Sequence, residues 1–276
     1  MSSRKIYEPN KQFKLGIRVW REMFAELYEF RELIWRLFVR DFSAKYRQSL
    51  LGNLWGVIMP FVAIGTFVYL KKAGIVSIAA TDMPYPLYAL IGLSFWQIFS
   101  SGLSSGANSL IGAGDLITKI NFPREVLVIA SMAQSLFEFV IKFILIILFF
   151  AFYQFVPSWK IAFLPVMLLP LGFLTIGLAL VLSILNGVMR DIGNIVGLLL
   201  MFWMFLTPVL YPIPGGQLLF DLNLLSVLID APRELIATGT LSRPEVYGIA
   251  SAVSILIFLI SWRIFHLAET KIPERV

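Results

Sequence analysis

Val126 to Phe155 reads VLVIASMAQSLFEFVIKFILIILFFAFYQF, and Glu138 and Lys142 are its only charges. A helix of about 20 apolar residues crosses a bilayer core roughly 30 Å thick, because it satisfies its backbone polar groups within the segment. The stretch therefore reads as a membrane span. Its two charges are four residues apart in the favourable order, so they share one face and can neutralise each other at membrane depth. Such a pair either lets the helix pack against neighbours or lines a polar path.

Outward from this span, other intervals nearly free of charge locate five more: Gly52–Leu70, Met83–Gly114 with its apolar part at Pro86–Ser101, Ile161–Met189, Ile192–Tyr211, and Val246–Trp262 extending to Phe265. The composition agrees. The chain is 58% hydrophobic and 14% charged, against roughly 25% charged for a soluble domain, so an ordinary soluble protein is excluded. The expected fold is an all-α integral membrane protein with six transmembrane helices. Residues 1–51 would form basic and amphipathic interface helices, 52–266 the membrane domain, and 267–276 a tail.

Six spans place both termini on one side, and the distribution of Lys and Arg decides which. Seventeen of the 23 lie on the side of the termini, eleven of them before Gly52. Both termini are therefore expected in the cytoplasm. No signal peptide is expected, since the first apolar run starts some fifty residues in and is too long.

In the amino-terminal segment Phe13, Ile17, Trp20 and Phe24 recur at helical spacing, with Lys11, Lys14, Arg18 and Arg21 on a neighbouring face. This reads as a helix lying on anionic cytoplasmic lipid. A second amphipathic stretch runs from Leu27 through Phe30, Ile34 and Leu37, suited to lipid or to protein docking. Between the fifth and sixth spans, Pro212–Pro214 and two glycines turn the chain. The apolar run Leu218–Ile229 that follows is too short to cross, so a re-entrant or interfacial hairpin is expected.

Parts for catalysis are scarce. There is no phosphate-binding loop, no His-Glu-x-x-His and no paired-acid cluster for a metal; cysteine is absent and His266 is the single histidine. No catalytic residue, metal ligand or resident cofactor is expected. The loop Asn108–Arg124 reads as a short amphipathic helix with a proline stop. Leu110, Ile111, Leu116, Ile117 and Ile120 are greasy for a loop and suggest a partner surface. Arg190 and Asp191 mark a tight turn before the fifth span.

Three stretches carry a family resemblance. Arg40-Asp41-Phe42-Ser43-Ala44-Lys45-Tyr46-Arg47 running through Gly52-Asn53-Leu54-Trp55 to Pro60 resembles the approach to the first span in permease subunits of ABC-2 type polysaccharide exporters. Asn121-Phe122-Pro123-Arg124-Glu125 matches before the third span. Arg190-Asp191-Ile192, leading to Leu206-Thr207-Pro208-Val209-Leu210-Tyr211-Pro212, matches around the fifth. The family exports O-antigen, capsule or teichoic acid. One departure is Asn223-Leu224, where the family often has Asn-Pro.

The resemblance implies an inner-membrane permease that pairs with itself and with two separate ATP-binding subunits, which would carry the ATP and magnesium. Its substrate would be a lipid-linked polysaccharide, O-antigen foremost; no nucleic acid is involved. It places the contact with the ATPase at Leu110, Ile111, Asp115, Leu116, Ile117 and Lys119. The first and fifth spans would line the channel, the hairpin guarding its outer mouth. Sugar rings have apolar faces, so Trp55, Phe61, Tyr69, Phe202, Trp203 and Phe205 are candidate sliding platforms. Arg40, Lys45 and Arg47 would receive the phosphate of the lipid carrier, Arg through its planar donor fork. The competing classes are a membrane enzyme and a secondary transporter acting on a lipid-linked sugar. The first lacks metal ligands, and the second lacks convincing inverted repeats.

Overall fold

The computed structural model describes residues 17–46, 55–74, 81–212 and 222–268. Among the described residues every element is helical: α1 (Ile17–Glu29), α2 (Arg31–Tyr46), α3 (Trp55–Lys72), α4 (Tyr85–Gly112), α5 (Gly114–Lys119), α6 (Glu125–Phe152), α7 (Leu164–Val188), α8 (Asp191–Phe205), α9 (Leu224–Thr238) and α10 (Pro244–Ala268). One 3-10 turn, Trp159–Phe163, leads into α7. Four segments are long and apolar enough to cross a membrane: α4, α6, α10, and α7 with its preceding turn. The described parts of α3 and α8 measure about 27 and 22 Å at 1.5 Å per residue.

The centre of the molecule is α4, which packs along α6 and α7, while α7 packs in turn along α10. Serine hydroxyls in this central helix bond to its own backbone. Ser94 Oγ donates to Leu90 O and Ser105 Oγ to Ser101 O, each at 2.7 Å, so its hydroxyls need no water. The α7–α10 contact depends on Gly177, where a Cβ would lie 2.8 Å from Phe258 Cα. Backbone cannot yield as a side chain end can. Gly177→Ala is therefore expected to part α7 from α10 and to cost about 1–3 kcal/mol, read as a lower melting temperature in detergent.

The amino-terminal helices dock on this bundle. Val19 and Met23 are buried, and Trp20 and Phe24 meet Trp262 of α10 edge-on, with ring centroids 5.8 and 4.7 Å apart. The apolar face of α1 is thus occupied at least partly by protein. The second amphipathic stretch, expected to run through Phe30, is instead divided there into α1 and α2. In α2 Leu37 and Phe38 are buried, and Phe38 and Phe42 pack on Phe137 of α6 at 5.8 and 4.8 Å. The inner face of α2 thus packs on the chain's own α6, while Trp35 and Val39 are exposed.

Two helix limits differ from the sequence expectation. The fifth apolar helix stops at Phe205 rather than Tyr211, because Pro208 has no N–H and pushes Thr207 out of helical geometry. The chain then tightens, with the Leu206 N–H donating to Trp203 O at 3.1 Å and the Val209 N–H to Thr207 O at 2.7 Å. After it, residues 213–221 lie outside the described residues, as does the first part of the expected Leu218–Ile229 helix. The described helix α9 continues past Ile229 to Thr238, with Asp230 and Arg233 paired within it, and ends where Gly239 adopts the left-handed conformation.

Candidate transport path and coupling surface

Among the expected spans, the two helices expected to line a channel are the least embedded. Within α8 only Val196 and Leu200 are buried, and in α3 Ile64 and Pro60 are. Their outer faces carry the expected aromatics: Trp55, Phe61, Tyr69, Phe202 and Phe205 are all exposed in the single chain. Trp203 differs. It is half-buried, meets Phe99 edge-on at 5.5 Å, and its Nε1–H donates to Asn223 Oδ1 at 3.2 Å. These contacts tie α8 to α4 and to Asn223.

Asn223 is a junction that the spacing of residues did not reveal. Its Nδ2 donates to Leu206 O at 3.0 Å and Thr207 Oγ1 at 3.3 Å, while its Oδ1 also accepts the Leu225 N–H at 3.2 Å. One side chain thereby closes the C-terminal end of α8 and caps α9. The departure from Asn-Pro has a simple outcome: Leu224 occupies the first helical position, where proline is favoured but not required.

At the opposite end of α8, Asn186 of α7 is fully buried. Its Nδ2 donates to Ala107 O and Asn108 Oδ1, both at 3.0 Å, and its Oδ1 accepts the Gly193 N–H at 2.9 Å. A single amide joins the end of α4, the end of α7 and the start of α8. Its only sequence signal is an isolated Asn closing an apolar helix.

The expected coupling segment splits. Leu110 and Ile111 end α4, Ala113 breaks the helix, and Leu116, Ile117 and Lys119 belong to α5, as does Asp115, whose side chain lies outside the described set. Leu110 and Ile117 are buried in the chain's own core. In the single chain these two side chains face inward, Ile117 because the short helix packs its apolar side on the bundle. The surface left open is formed by half-buried Ile111 and Leu116 with exposed Lys119 and Ile120. Just beyond it, Glu125 is buried and His266 Nδ1 lies 3.0 Å from its Oε1, which ties the start of α6 to the end of α10.

Glu138 and Lys142 are both buried inside the bundle. Lys142 Nζ donates to Gln97 Oε1 of α4, and Gln134 Nε2 donates to Glu138 Oε1 at 3.4 Å. The charges thus engage a neighbouring helix as well as their own. Of the expected carrier-phosphate residues, Arg40 is half-exposed and bonded to Asp41 Oδ1 at 2.7 Å. The Lys45 side chain and all of Arg47 lie outside the described residues.

Comparison with known proteins places this architecture. The chain is 30% identical over 258 residues to the O-antigen export system permease protein RfbA of Myxococcus xanthus, covering 91% of this chain and 98% of that one. It is 27% and 26% identical to two proteins of the same name from Klebsiella pneumoniae, over 85% of this chain and 91% of each. Residues 32–237 match the ABC-2 type transporter family, a span that runs from α2 through α9. The chain belongs to the ABC-2 type transporter family.

Proposed function

We propose that this protein is the permease subunit of an ATP-driven exporter that carries a lipid-linked polysaccharide of the O-antigen class across the cytoplasmic membrane. In this reading it has six spans and cytoplasmic termini and works as a homodimer with two separate ATP-binding subunits. Capsule or teichoic acid polymers are alternative cargoes. The carrying observation is the end-to-end likeness to permeases named for O-antigen export, including 98% of the Myxococcus protein. The exposed aromatic faces of α3 and α8 support it further. Two such faces from two protomers would enclose a path whose walls let sugar rings slide. ATP would be hydrolysed on the partner, whose groove receives the Ile111, Leu116, Lys119 and Ile120 surface.

Deleting the gene in its host tests this. The expected result is loss of surface polymer and accumulation of finished lipid-linked polymer inside the cell, reversed by the intact gene. Normal surface polymer after deletion would overturn the assignment.

Within this function Arg40, Lys45 and Arg47 form the lipid-phosphate receptor at the cytoplasmic face. In inverted vesicles with matched insertion, Arg47→Gln is expected to lower polymer export and weaken substrate stimulation of the partner ATPase about tenfold. Arg40→Gln and Lys45→Gln should act in the same direction. Unchanged stimulation across all three would leave these charges with topology alone.

A further inference from the structure

Resting on the six-span reading, we propose that Arg233 of α9 is a positioning residue for export: it sets the outer end of the lining helix α8. The segment between the fifth and sixth spans is thereby a bracket for α8 as well as a cover for the mouth.

Three observations lead there. First, α8 buries only two of its own side chains, so its place in the bundle is set largely by its ends. The inner end is fixed by Asn186. The outer end is the turn Leu206–Leu210, whose residues Thr207, Val209 and Leu210 are buried. Second, that turn is held by α9 side chains. Asn223 takes Leu206 and Thr207, and Arg233 Nη1 donates to Val209 O at 3.4 Å.

Third, Arg233 is itself built in. It is 2% exposed, paired through Nη2 with Asp230 Oδ1, and its guanidinium carbon lies 3.6 Å from the ring centroid of Tyr88 on α4. Its burial is offset by these partners, and removing the cation would strand them, which makes the position sensitive. The site is also shaped for it. At Gly92, one turn along α4 from Tyr88, a Cβ would overlap the Val209 carbonyl oxygen and come within 2.9 Å of Arg233 Nη1. The absence of a side chain there admits both groups. One guanidinium thus links α4, α9 and the end of α8, a geometry that a planar fork can meet and a lysine ammonium cannot reproduce.

The chain has no cysteine, so single introduced thiols report position cleanly. Val209→Cys places one at the bracketed turn, where the native side chain is buried; Leu180→Cys, buried in α7, is the control for general loosening. Leu222→Cys, exposed beside α9, reports orientation. A membrane-impermeant maleimide is applied from outside to the full transporter in cells. With Arg233 present, the thiol at 209 is expected to be protected. In Arg233→Gln it should react at least tenfold faster while that at 180 stays protected, and Arg233→Lys should fall between.

Gly92→Ala keeps every charge and should mimic Arg233→Gln by forcing the turn away. Export should fall while polymer-stimulated ATPase persists, a split that a merely structural role would not produce. Continued protection of residue 209 with normal export in Arg233→Gln would overturn the proposal, and so would equal exposure of 209 and 180. If Leu222→Cys reacts only from the cytoplasmic side, the orientation reading fails separately. The comparison at 209 is then made from that side, with the same two deciding outcomes.

Discussion

A chain carrying Leu116→Asp together with Ile120→Asp is expected to insert normally, fail to retain its ATP-binding subunit, and lose export. Both positions lie on the open side of α5, where Ile120 is 51% exposed and Leu116 half-buried. An aspartate pressed into an apolar groove loses its water without gaining a partner, at a cost of several kcal/mol. Three kcal/mol is already about a hundredfold in affinity. Co-purification of the ATPase through a tag on the permease measures this directly. Ile117 is the informative contrast, since it faces the chain's own core and Ile117→Asp should reduce the amount of folded permease. Retention of the ATPase and normal export by the Leu116/Ile120 double variant would mean that the subunit docks elsewhere.

The second large effect is expected at Asn186. Asn186→Leu removes an amide that accepts from the Gly193 N–H and donates to Ala107 O and Asn108 Oδ1. Stranding a buried polar partner costs about 1–3 kcal/mol, and here several are affected at once. Thermal unfolding in detergent should begin several degrees lower. Export should fall more than ATPase binding, because the amide joins the end of the helix that leads into the coupling segment to the start of α8. Asn186→Asp should also fail, since its second carboxylate oxygen would face the Ala107 carbonyl and the Asn108 oxygen. Unchanged melting and export in Asn186→Leu would show that the two loops do not depend on this joint.

What could be read from the chain alone follows from the range of the interactions. The span around Val126–Phe155 was visible because a bilayer imposes a length and an apolar composition that neighbouring residues carry together; α6 runs Glu125–Phe152. The short amphipathic helix before Pro123 was visible for the same local reason, as α5. Which of its apolar residues face inward was not, because six residues make fewer than two turns and the deciding neighbours come from the bundle. The i,i+4 spacing of Glu138 and Lys142 indicated a shared face, yet could not supply Gln97, which lies 45 residues away.

The three polar joints were hidden by the same circumstance. Asn186 meets Ala107 and Asn108 across 79 and 78 residues, Asn223 meets Leu206 across 17, and Arg233 meets Val209 across 24. Asn186 and Asn223 are single amides in or beside an apolar helix, a pattern equally compatible with a loop end. Arg233, three residues after Asp230 in a mostly apolar helix, carries a usable sign of burial in that spacing.

The account is tested most directly by transport itself. Inverted membrane vesicles containing this permease and its ATP-binding subunit are given lipid-linked O-polysaccharide on the outside, and protected polymer in the lumen is measured with and without ATP. The predicted result is luminal polymer that requires ATP, both subunits and an intact α5 surface, and that is indifferent to collapse of the ion gradient. Luminal polymer formed by the permease alone under an ion gradient, without ATP or partner, would contradict the account.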